Sequence, residues 1–179
     1  MFSGSVKSKE EIWNDVKRLI DYGTEEEQQQ AIREATEQQK ASVDKENRIR
    51  KAEEAKVDTN PTEKQKEAGN YKKGHIKVDG LDVTIEQPKG SIRRGTDANG
   101  NKWKSEMHNT YGYIKGTESV DGDHIDIFLS DNPAEGNVYV VDQVNKDGSF
   151  DEHKVMYGFA DMESAEKAYL SNYEKGWHG

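Results

Sequence analysis

The stretch YGYIKGTESVDGDHIDIFL, residues 111–129, organises this 179-residue chain. A segment typical of a strand leads into a loop that carries Asp121, Asp123 and Asp126, and an apolar run follows immediately. Two unit charges ~4 Å apart repel by about 4 kcal/mol at a dielectric constant of about 20. The three aspartates therefore need cations, protonation or water in order to coexist. This requirement points to chemistry with hard cations.

Segments with the alternating pattern of strands surround this stretch. Residues 75–78 and 81–86 alternate with period two around Asp79-Gly80, a dipeptide typical of a tight hairpin. Basic segments at 92–94 and 102–107 flank another turn. Further strands are predicted at 111–115, 124–130, 138–144 and 150–157, followed by a final helix capped by Asp161. Short strands and one late helix predict an α+β, mainly β domain, as a small antiparallel barrel or sheet with helical additions.

The N-terminal third has a different composition. A capping box at 8–11 begins a short amphipathic helix, and a second at 24–27 opens a segment rich in Gln, Glu, Lys, Arg and Ala. That segment can form a long helix with little apolar surface, either as a coiled-coil or partner-binding arm or as a solvated spacer. We therefore expect residues 1–69 to form a helical, highly charged arm or linker. Residues 70–179 are expected to form the folded domain.

Composition limits the function classes. The net charge is −9, from 26 basic and 35 acidic residues, which argues against a broad nucleic-acid-binding surface but allows a local basic pocket. The chain has no cysteine, which excludes disulfides, thiolate zinc sites and a cysteine nucleophile. Neither a signal peptide nor a membrane-spanning run is recognisable in the sequence. We expect a soluble, cytoplasmic protein with no membrane partner.

Carboxylates and cations are concentrated in the same segments of the folded domain. The carboxylates are Asp121, Asp123, Asp126, Asp147, Asp151, Glu152 and Glu86. Oxygen-only donors suit Mg²⁺ or Mn²⁺ rather than Zn²⁺. The neighbouring basic and phenolic residues are Lys89, Arg93, Arg94, Lys102, Lys104, Lys154, Tyr111, Tyr113 and Tyr173. Carboxylates that position water, together with cations that neutralise phosphate charge, favour phosphoryl transfer to water.

Five short motifs stand out in this region. Tyr-Gly-Tyr-Ile at 111–114 precedes Asp-Gly-Asp-His-Ile-Asp at 121–126. Upstream lies VTIEQP at 83–88, and downstream lies DGSFDEHK at 147–154. The tail NYEKGW at 172–177 follows the final helix. Together these motifs resemble the signature segments of the family I soluble inorganic pyrophosphatases.

The resemblance covers about residues 75–177 and implies a five-stranded OB-like barrel with flanking helices. It is to the shortened form of the domain that occurs in multidomain proteins of phages and other mobile elements. It implies metal ligands at Asp121, Asp126 and Asp147, and at Asp151 or Glu152. The spacing to the following lysine favours Glu152 for this last place.

The same resemblance implies the catalytic and phosphate-binding residues. Asp123 would be the general base that shares the metal-activated water, and Lys154 would act beside it on the phosphate. Phosphate would be held by Tyr113 with Tyr111, Lys154 and Tyr173, and Glu86 would lie on the metal side of the site. We expect Arg93 and Arg94, which are out of register with the family's pattern, to bind phosphate as well, together with Lys104 or Lys102 in place of the family's arginine. Two departures stand out: His124 replaces the family's usual proline, and no Lys-Tyr-Glu triplet follows Glu86.

These residues predict Mg²⁺-dependent hydrolysis of a phosphoanhydride, with inorganic pyrophosphate or a related small phosphorylated compound as substrate and Mn²⁺ as a possible substitute cofactor. The alternative is a catalytically weak or inactive module that binds anions and metal ions within a mobile-element protein. Under this alternative hypothesis, the N-terminal helices would mediate assembly, through self-association or a protein partner. Turnover separates the two hypotheses, because the module would bind pyrophosphate without hydrolysing it.

Overall fold

The computed structural model of the protein describes residues 8–96, 100–119, 122–177 and 179. The chain divides into two compact units, Met1–Glu46 and Asn47–Gly179. The helices are α1 (Lys9–Tyr22), α2 (Glu25–Glu54), α3 (Glu63–Glu67) and α4 (Met162–Ser171). The predicted capping box of α1 is confirmed, as Ser8 and Glu11 exchange side-chain to backbone hydrogen bonds of 2.6 and 3.2 Å. Within the described ranges, every helix is too short or too polar to cross a bilayer.

The described part of the second unit contains eight strands, the last turns of α2, α3, α4 and a short 3₁₀ turn at Pro133–Glu135. They are β1 (Gly74–Val78), β2 (Leu81–Gln87), β3 (Ile92–Thr96), β4 (Lys102–Glu106), β5 (Thr110–Ile114), β6 (Asp126–Leu129), β7 (Asn137–Val144) and β8 (Phe150–Phe159). The mainly β, mixed character expected from the sequence is confirmed. The predicted strands on both sides of the aspartate loop are β5 and β6, and Asp161 caps α4 as expected.

Six strands form one sheet in the order β1, β2, β5, β6, β8, β7, and β3 pairs with β4 in a separate two-stranded sheet. All neighbours are antiparallel except β6 and β8, which are parallel. The described hydrogen-bonded ladders leave the six-stranded sheet open, with β1 and β7 at its edges. The five-stranded closed barrel expected from the resemblance is therefore not confirmed.

The main sheet buries one apolar cluster on each face, because successive strand residues point to opposite sides. The first cluster contains Ile76, Val78, Val83, Ile85, Ile114, Ile127, Leu129 and Tyr157. The second contains Met107, Tyr111, Phe128, Met156, Phe159, Ala165 and Tyr169. Ala165 and Tyr169 come from α4, so this helix covers the second face.

The first strand of the sheet contributes to the same apolar cluster as a strand that is distant in the sheet order, which indicates that the sheet is curved. Ile76 of β1 and Tyr157 of β8 belong to the same cluster. In addition, the Tyr157 hydroxyl donates a hydrogen bond of 2.5 Å to Asp79 in the turn between β1 and β2. The hairpin of β3 and β4 contacts this sheet through Arg93, which lies beside Tyr111 of β5.

Candidate functional site

A buried ammonium group lies at the centre of the candidate site. Asp126 at the start of β6 is the parallel register partner of Lys154 on β8. Lys154 is only 3% exposed, and its Nζ binds the Asp126 carboxylate and lies 2.7 Å from Glu152 Oε1. A charged group at this depth requires charged partners, since desolvation of an unpaired ion is unfavourable. Lys154 thus ties together two carboxylates that the sequence assigned to metal binding.

Tyr111 and Arg93 lie beside the ion pair of Lys154 and Asp126. The Tyr111 hydroxyl on β5 donates to Asp126, and Arg93 Nη2 on β3 lies 3.4 Å from the same hydroxyl oxygen. The Arg93 guanidinium is 4.5 Å from the centre of the Tyr111 ring. Burial raises the pKa of Tyr111 well above its ordinary value; Arg93 acts against this and Asp126 reinforces it. Tyr111 is therefore a neutral hydrogen-bond donor at ordinary pH.

A buried glutamine connects the carboxylates to α4. Gln143 on β7 is 4% exposed, and its Nε2 donates to Asp151 at 2.8 Å and to Glu152 at 3.2 Å. Its Oε1 accepts hydrogen bonds from Tyr169 at 2.8 Å and Tyr173 at 3.1 Å. One amide thus fixes two carboxylates and two phenols, so β7, β8 and α4 share a single polar network.

The phenol of Tyr173 is held in its neutral form. Burial raises the pKa of Tyr173, the neighbouring Tyr169 raises it further, and Arg93 partly opposes the shift. The Tyr173 ring also stacks on Trp177, with ring centres 4.7 Å apart and planes inclined by 9°. Tyr173 can therefore serve as a fixed hydrogen-bond donor rather than as a base.

Glu86 forms a second cluster, which lines the same cavity as Arg93. Its Oε1 accepts a hydrogen bond from Tyr71 at 2.8 Å and forms an ion pair with Lys73 at 2.6 Å. Burial and the Glu86 charge raise the pKa of Tyr71 above its ordinary value. The space between the two clusters is a cavity of about 180 Å³, lined by Pro61, Lys66, Tyr71, Glu86, Gln87, Arg93, Arg94, Trp103 and Tyr111.

Several residues that the sequence assigned to the site lie apart from this network. Arg94 lines the cavity, but its side chain is exposed, and its ladder partner Lys104 is exposed as well. Asp147 is exposed in the turn between β7 and β8, where it accepts hydrogen bonds from Ser149 at 2.6 and 3.0 Å. These hydrogen bonds lower the pKa of Asp147.

The aspartate loop is described only in part. Asp121 lies outside the described residues, whereas Asp123 is exposed and its backbone oxygen accepts a hydrogen bond of 2.7 Å from Ser119. His124, in the place of the family's proline, stacks on Tyr113 with ring centres 4.8 Å apart. Its Nδ1 lies 2.7 Å from the carbonyl oxygen of Thr117. The loop thus contacts the C-terminal end of β5 and the residues that follow it, through aromatic stacking and a hydrogen bond to the backbone.

The donor set has the chemistry that Mg²⁺ prefers. Asp126, Glu152 and Asp151 supply carboxylate oxygens that are linked through Lys154 and Gln143. The place between Asp126 and Glu152 already holds a cation, the Lys154 ammonium. In the part of the chain that the structure describes, no three Asp, Glu or His side chains are arranged to hold a metal ion. The residues fit Mg²⁺ in chemistry, and a full ligand set would also need Asp121.

Sequence reasoning missed Gln143, Trp103 and Lys73. Gln143 carried a recognisable signal, since it follows Tyr139 and Val141 at the inward positions of β7, where a polar residue requires partners. Trp103 offered no comparable signal, because its contacts depend on its register with β3. The same holds for Lys73, whose ion pair with Glu86 joins a loop to β2.

One comparison with known proteins gives a match. A family model described as Inorganic Pyrophosphatase matches residues 63–179, which is 117 of the 179 residues. No curated protein and no solved structure matches the sequence. The matched range includes all strands, α3, α4 and every candidate site residue.

Proposed function

Because the chain belongs to the inorganic pyrophosphatase family, we propose that it hydrolyses a phosphoanhydride in a Mg²⁺-dependent reaction, with inorganic pyrophosphate as substrate and two phosphates as products. One observation carries this proposal: Lys154 is buried between Asp126 and Glu152, directly beside the Tyr111 and Arg93 pair. Two fixed cations and neutral phenols next to oxygen ligands suit a substrate that is a small polyanion.

Arg93 and Lys154 would neutralise the phosphate charge, and Tyr173 would exchange its hydrogen bond to Gln143 Oε1 for one to a phosphate oxygen. Asp123 would accept the proton of the attacking water as the bond from phosphorus to the bridging oxygen breaks. The charge that develops on the leaving phosphate would be stabilised by Lys154. Mg²⁺ would be held by the carboxylates of Asp121, Asp126, Asp147 and Glu152 or Asp151. When bound, it would act as a Lewis acid and lower the pKa of water.

The same proposal includes the barrel-like closure of the curved sheet that the family implies. It is supported by the hydrogen bond from Tyr157 on β8 to Asp79 in the first hairpin. Phosphate contacts from Arg94, Lys104 and Tyr113 and a metal-side role for Glu86 belong to the proposal as well. The cytoplasmic setting, the origin in a phage or mobile element and a partner of the N-terminal helices stay predictions.

The test is phosphate release from pyrophosphate by the full chain with and without Mg²⁺. We expect turnover only with Mg²⁺ and a loss of about 10²- to 10⁴-fold in kcat for Asp123→Asn, as for removal of a general base. Asp142→Asn is the matched control, since Asp142 is an exposed carboxylate paired with His153. Absence of turnover in folded wild-type protein would refute hydrolysis, and saturable pyrophosphate binding in that sample would favour the non-catalytic module.

A further inference from the structure

The Arg93 guanidinium on β3 lies close to two aromatic rings, that of Trp103 on β4 and that of Tyr111 on β5. The guanidinium carbon lies 4.5 Å from the centre of the Tyr111 ring and 5.6 Å from the centre of the Trp103 ring. Both distances are within the range of a cation–π interaction. Tyr111 also accepts a hydrogen bond of 3.4 Å from Arg93, so one ring contributes both its face and its hydroxyl. The arginine is therefore fixed in direction as well as in place.

A glycine makes room for the outer ring. Gly95 is the register partner of Trp103 across the antiparallel ladder. A Cβ atom at Gly95 would lie 2.3 Å from Trp103 Cζ2 and 2.5 Å from Cε2, which is closer than carbon atoms can approach. Any side chain at Gly95 would displace the indole ring toward Arg93 or away from it. The smallest residue is thus needed here for space.

The held arginine faces the cavity of about 180 Å³ that it lines together with Trp103, Tyr111 and Glu86. Burial by itself would lower the pKa of Arg93, but Tyr111, Tyr173, Asp126 and Glu86 outweigh it and raise the pKa. The group therefore stays cationic. A free arginine side chain samples many rotamers, and fixing it beforehand lowers the entropic cost of each hydrogen bond that it then makes to an oxyanion.

We propose that Trp103 is a positioning residue, which acts through Arg93 to set the affinity for phosphate groups, and that Gly95 provides the space this requires. The inference rests on the proposed function in taking Arg93 as a phosphate-binding cation. It goes beyond that function because it assigns the orientation of the cation to the β3–β4 hairpin. Trp103 itself touches Arg93 rather than the substrate.

The test is a double-mutant cycle in the full chain, with the variants Trp103→Leu, Arg93→Met and the double variant. The dissociation constant for inorganic phosphate is measured by calorimetry, and kcat and KM are measured for pyrophosphate with Mg²⁺. We expect Trp103→Leu to weaken phosphate binding about tenfold in the wild-type background, and less than about twofold in the Arg93→Met background. Gly95→Ala should resemble Trp103→Leu, whereas Trp103→Phe should retain most of the affinity. Thr96→Ala, an exposed neighbour on β3, should leave the affinity unchanged.

The outcomes separate this inference from the proposed hydrolysis. Equal losses from Trp103→Leu in both backgrounds, or no phosphate binding by the wild type, would overturn the positioning role. Phosphate binding with the expected coupling but without pyrophosphate turnover would overturn the hydrolysis alone. If Trp103→Leu does not fold, as judged by circular dichroism, Gly95→Ala and Trp103→Phe carry the same comparison against Arg93→Met. Wild-type affinity in folded Gly95→Ala would then refute the inference.

Discussion

Gly112 shows at the scale of one residue why the Tyr-Gly-Tyr-Ile motif has its form. It lies in β5 opposite Ile85 of β2 and Ile127 of β6. A Cβ atom at Gly112 would lie 1.9 Å from the backbone oxygen of Thr84, which no rotamer change can relieve. We expect Gly112→Ala to lower the free energy of unfolding by about 3 kcal/mol or more, as measured by urea denaturation.

The matched control is Gly116→Ala, just after β5. Gly116 has φ of +80°, and a Cβ atom there meets nothing within 4 Å. Its replacement should cost only about 1–2 kcal/mol, the strain of the left-handed backbone conformation. Equal losses for the two variants would show that the lack of space at Gly112 does not dominate the cost of its replacement.

Gln143 gives a second prediction at this scale. Replacement by leucine leaves the Tyr169 and Tyr173 hydroxyls without this acceptor and removes one donor from each of the Asp151 and Glu152 carboxylates. Since buried polar groups without partners are costly, Gln143→Leu should lower the free energy of unfolding by about 2–3 kcal/mol in urea denaturation. Gln30→Leu on α2, where the exposed glutamine makes a hydrogen bond to Glu34, should change it by less than about 0.5 kcal/mol. Similar losses at both positions would contradict the network.

The candidate site was predictable where its residues belong to a local pattern. Asp126, Glu152 and Lys154 stand at motif spacings, and the structure places them in contact. Arg93 and Trp103 instead meet across a ladder whose register the sequence does not define. Contacts that depend on the packing of distant strands and α4 cannot be derived from spacing alone.

At the scale of elements, the hairpin of β1 and β2 was predictable from its turn. Asp79 and Gly80 both adopt positive φ, 45° and 86°, as a tight two-residue turn requires. The contact of this turn with β8 was not predictable, because 78 residues separate Asp79 from Tyr157. The parallel pairing of β6 with β8 is likewise a long-range feature that depends on the connection through β7.

The turn contact predicts a pH dependence of stability. Burial raises the pKa of Tyr157 from 10.0 to about 12, and the hydrogen bond to the Asp79 carboxylate adds to this shift. Because the folded-state pKa lies above the unfolded one, this contribution is complete below about pH 10 and is lost as the pH rises to about 12. We expect the free energy of unfolding, measured by urea denaturation, to fall over this interval.

The variant Tyr157→Phe isolates the contribution of Tyr157 to this pH dependence, since other buried tyrosines titrate in the same pH range. The variant should lose about 1 kcal/mol at neutral pH, the value of one hydrogen bond. Its free energy of unfolding should also decline less steeply above about pH 10 than that of the wild type. An unchanged slope would mean that the Asp79 contact does not hold the proton on Tyr157.

At the scale of the whole molecule, the mixed and mainly β class followed from alternation and turn residues, whereas sheet closure did not. Local sequence patterns predict the strands, but they do not predict which strand edges pair. An open six-stranded sheet and a closed barrel therefore have the same local pattern. The domain boundary near residue 70 stays a prediction. Contacts of the last turns of α2 lead us to propose that the folded domain begins earlier, near residue 47.

Those contacts involve a buried cation and a hydrogen-bonded carboxylate. The Arg50 guanidinium donates to the backbone oxygens of Ser130 and Asp131, at 2.6 Å each, and is 9% exposed as a residue. Glu54 accepts a hydrogen bond of 2.6 Å from Thr110 at the start of β5. Removing these residues leaves the partner groups of the second unit unpaired, which is unfavourable in proportion to their burial.

A fragment of residues 47–179 should therefore unfold cooperatively in urea, and a fragment of residues 70–179 should be less stable by about 3 kcal/mol or fail to fold. In the full chain, Arg50→Met should lower the free energy of unfolding of the second unit by about 2 kcal/mol, because two backbone oxygens lose their donor. Lys51→Met, an exposed change one position further along α2, should have an effect below about 0.5 kcal/mol. Equal stability of the two fragments would place the boundary near residue 70, and α2 would then be an appendage rather than a part of the domain.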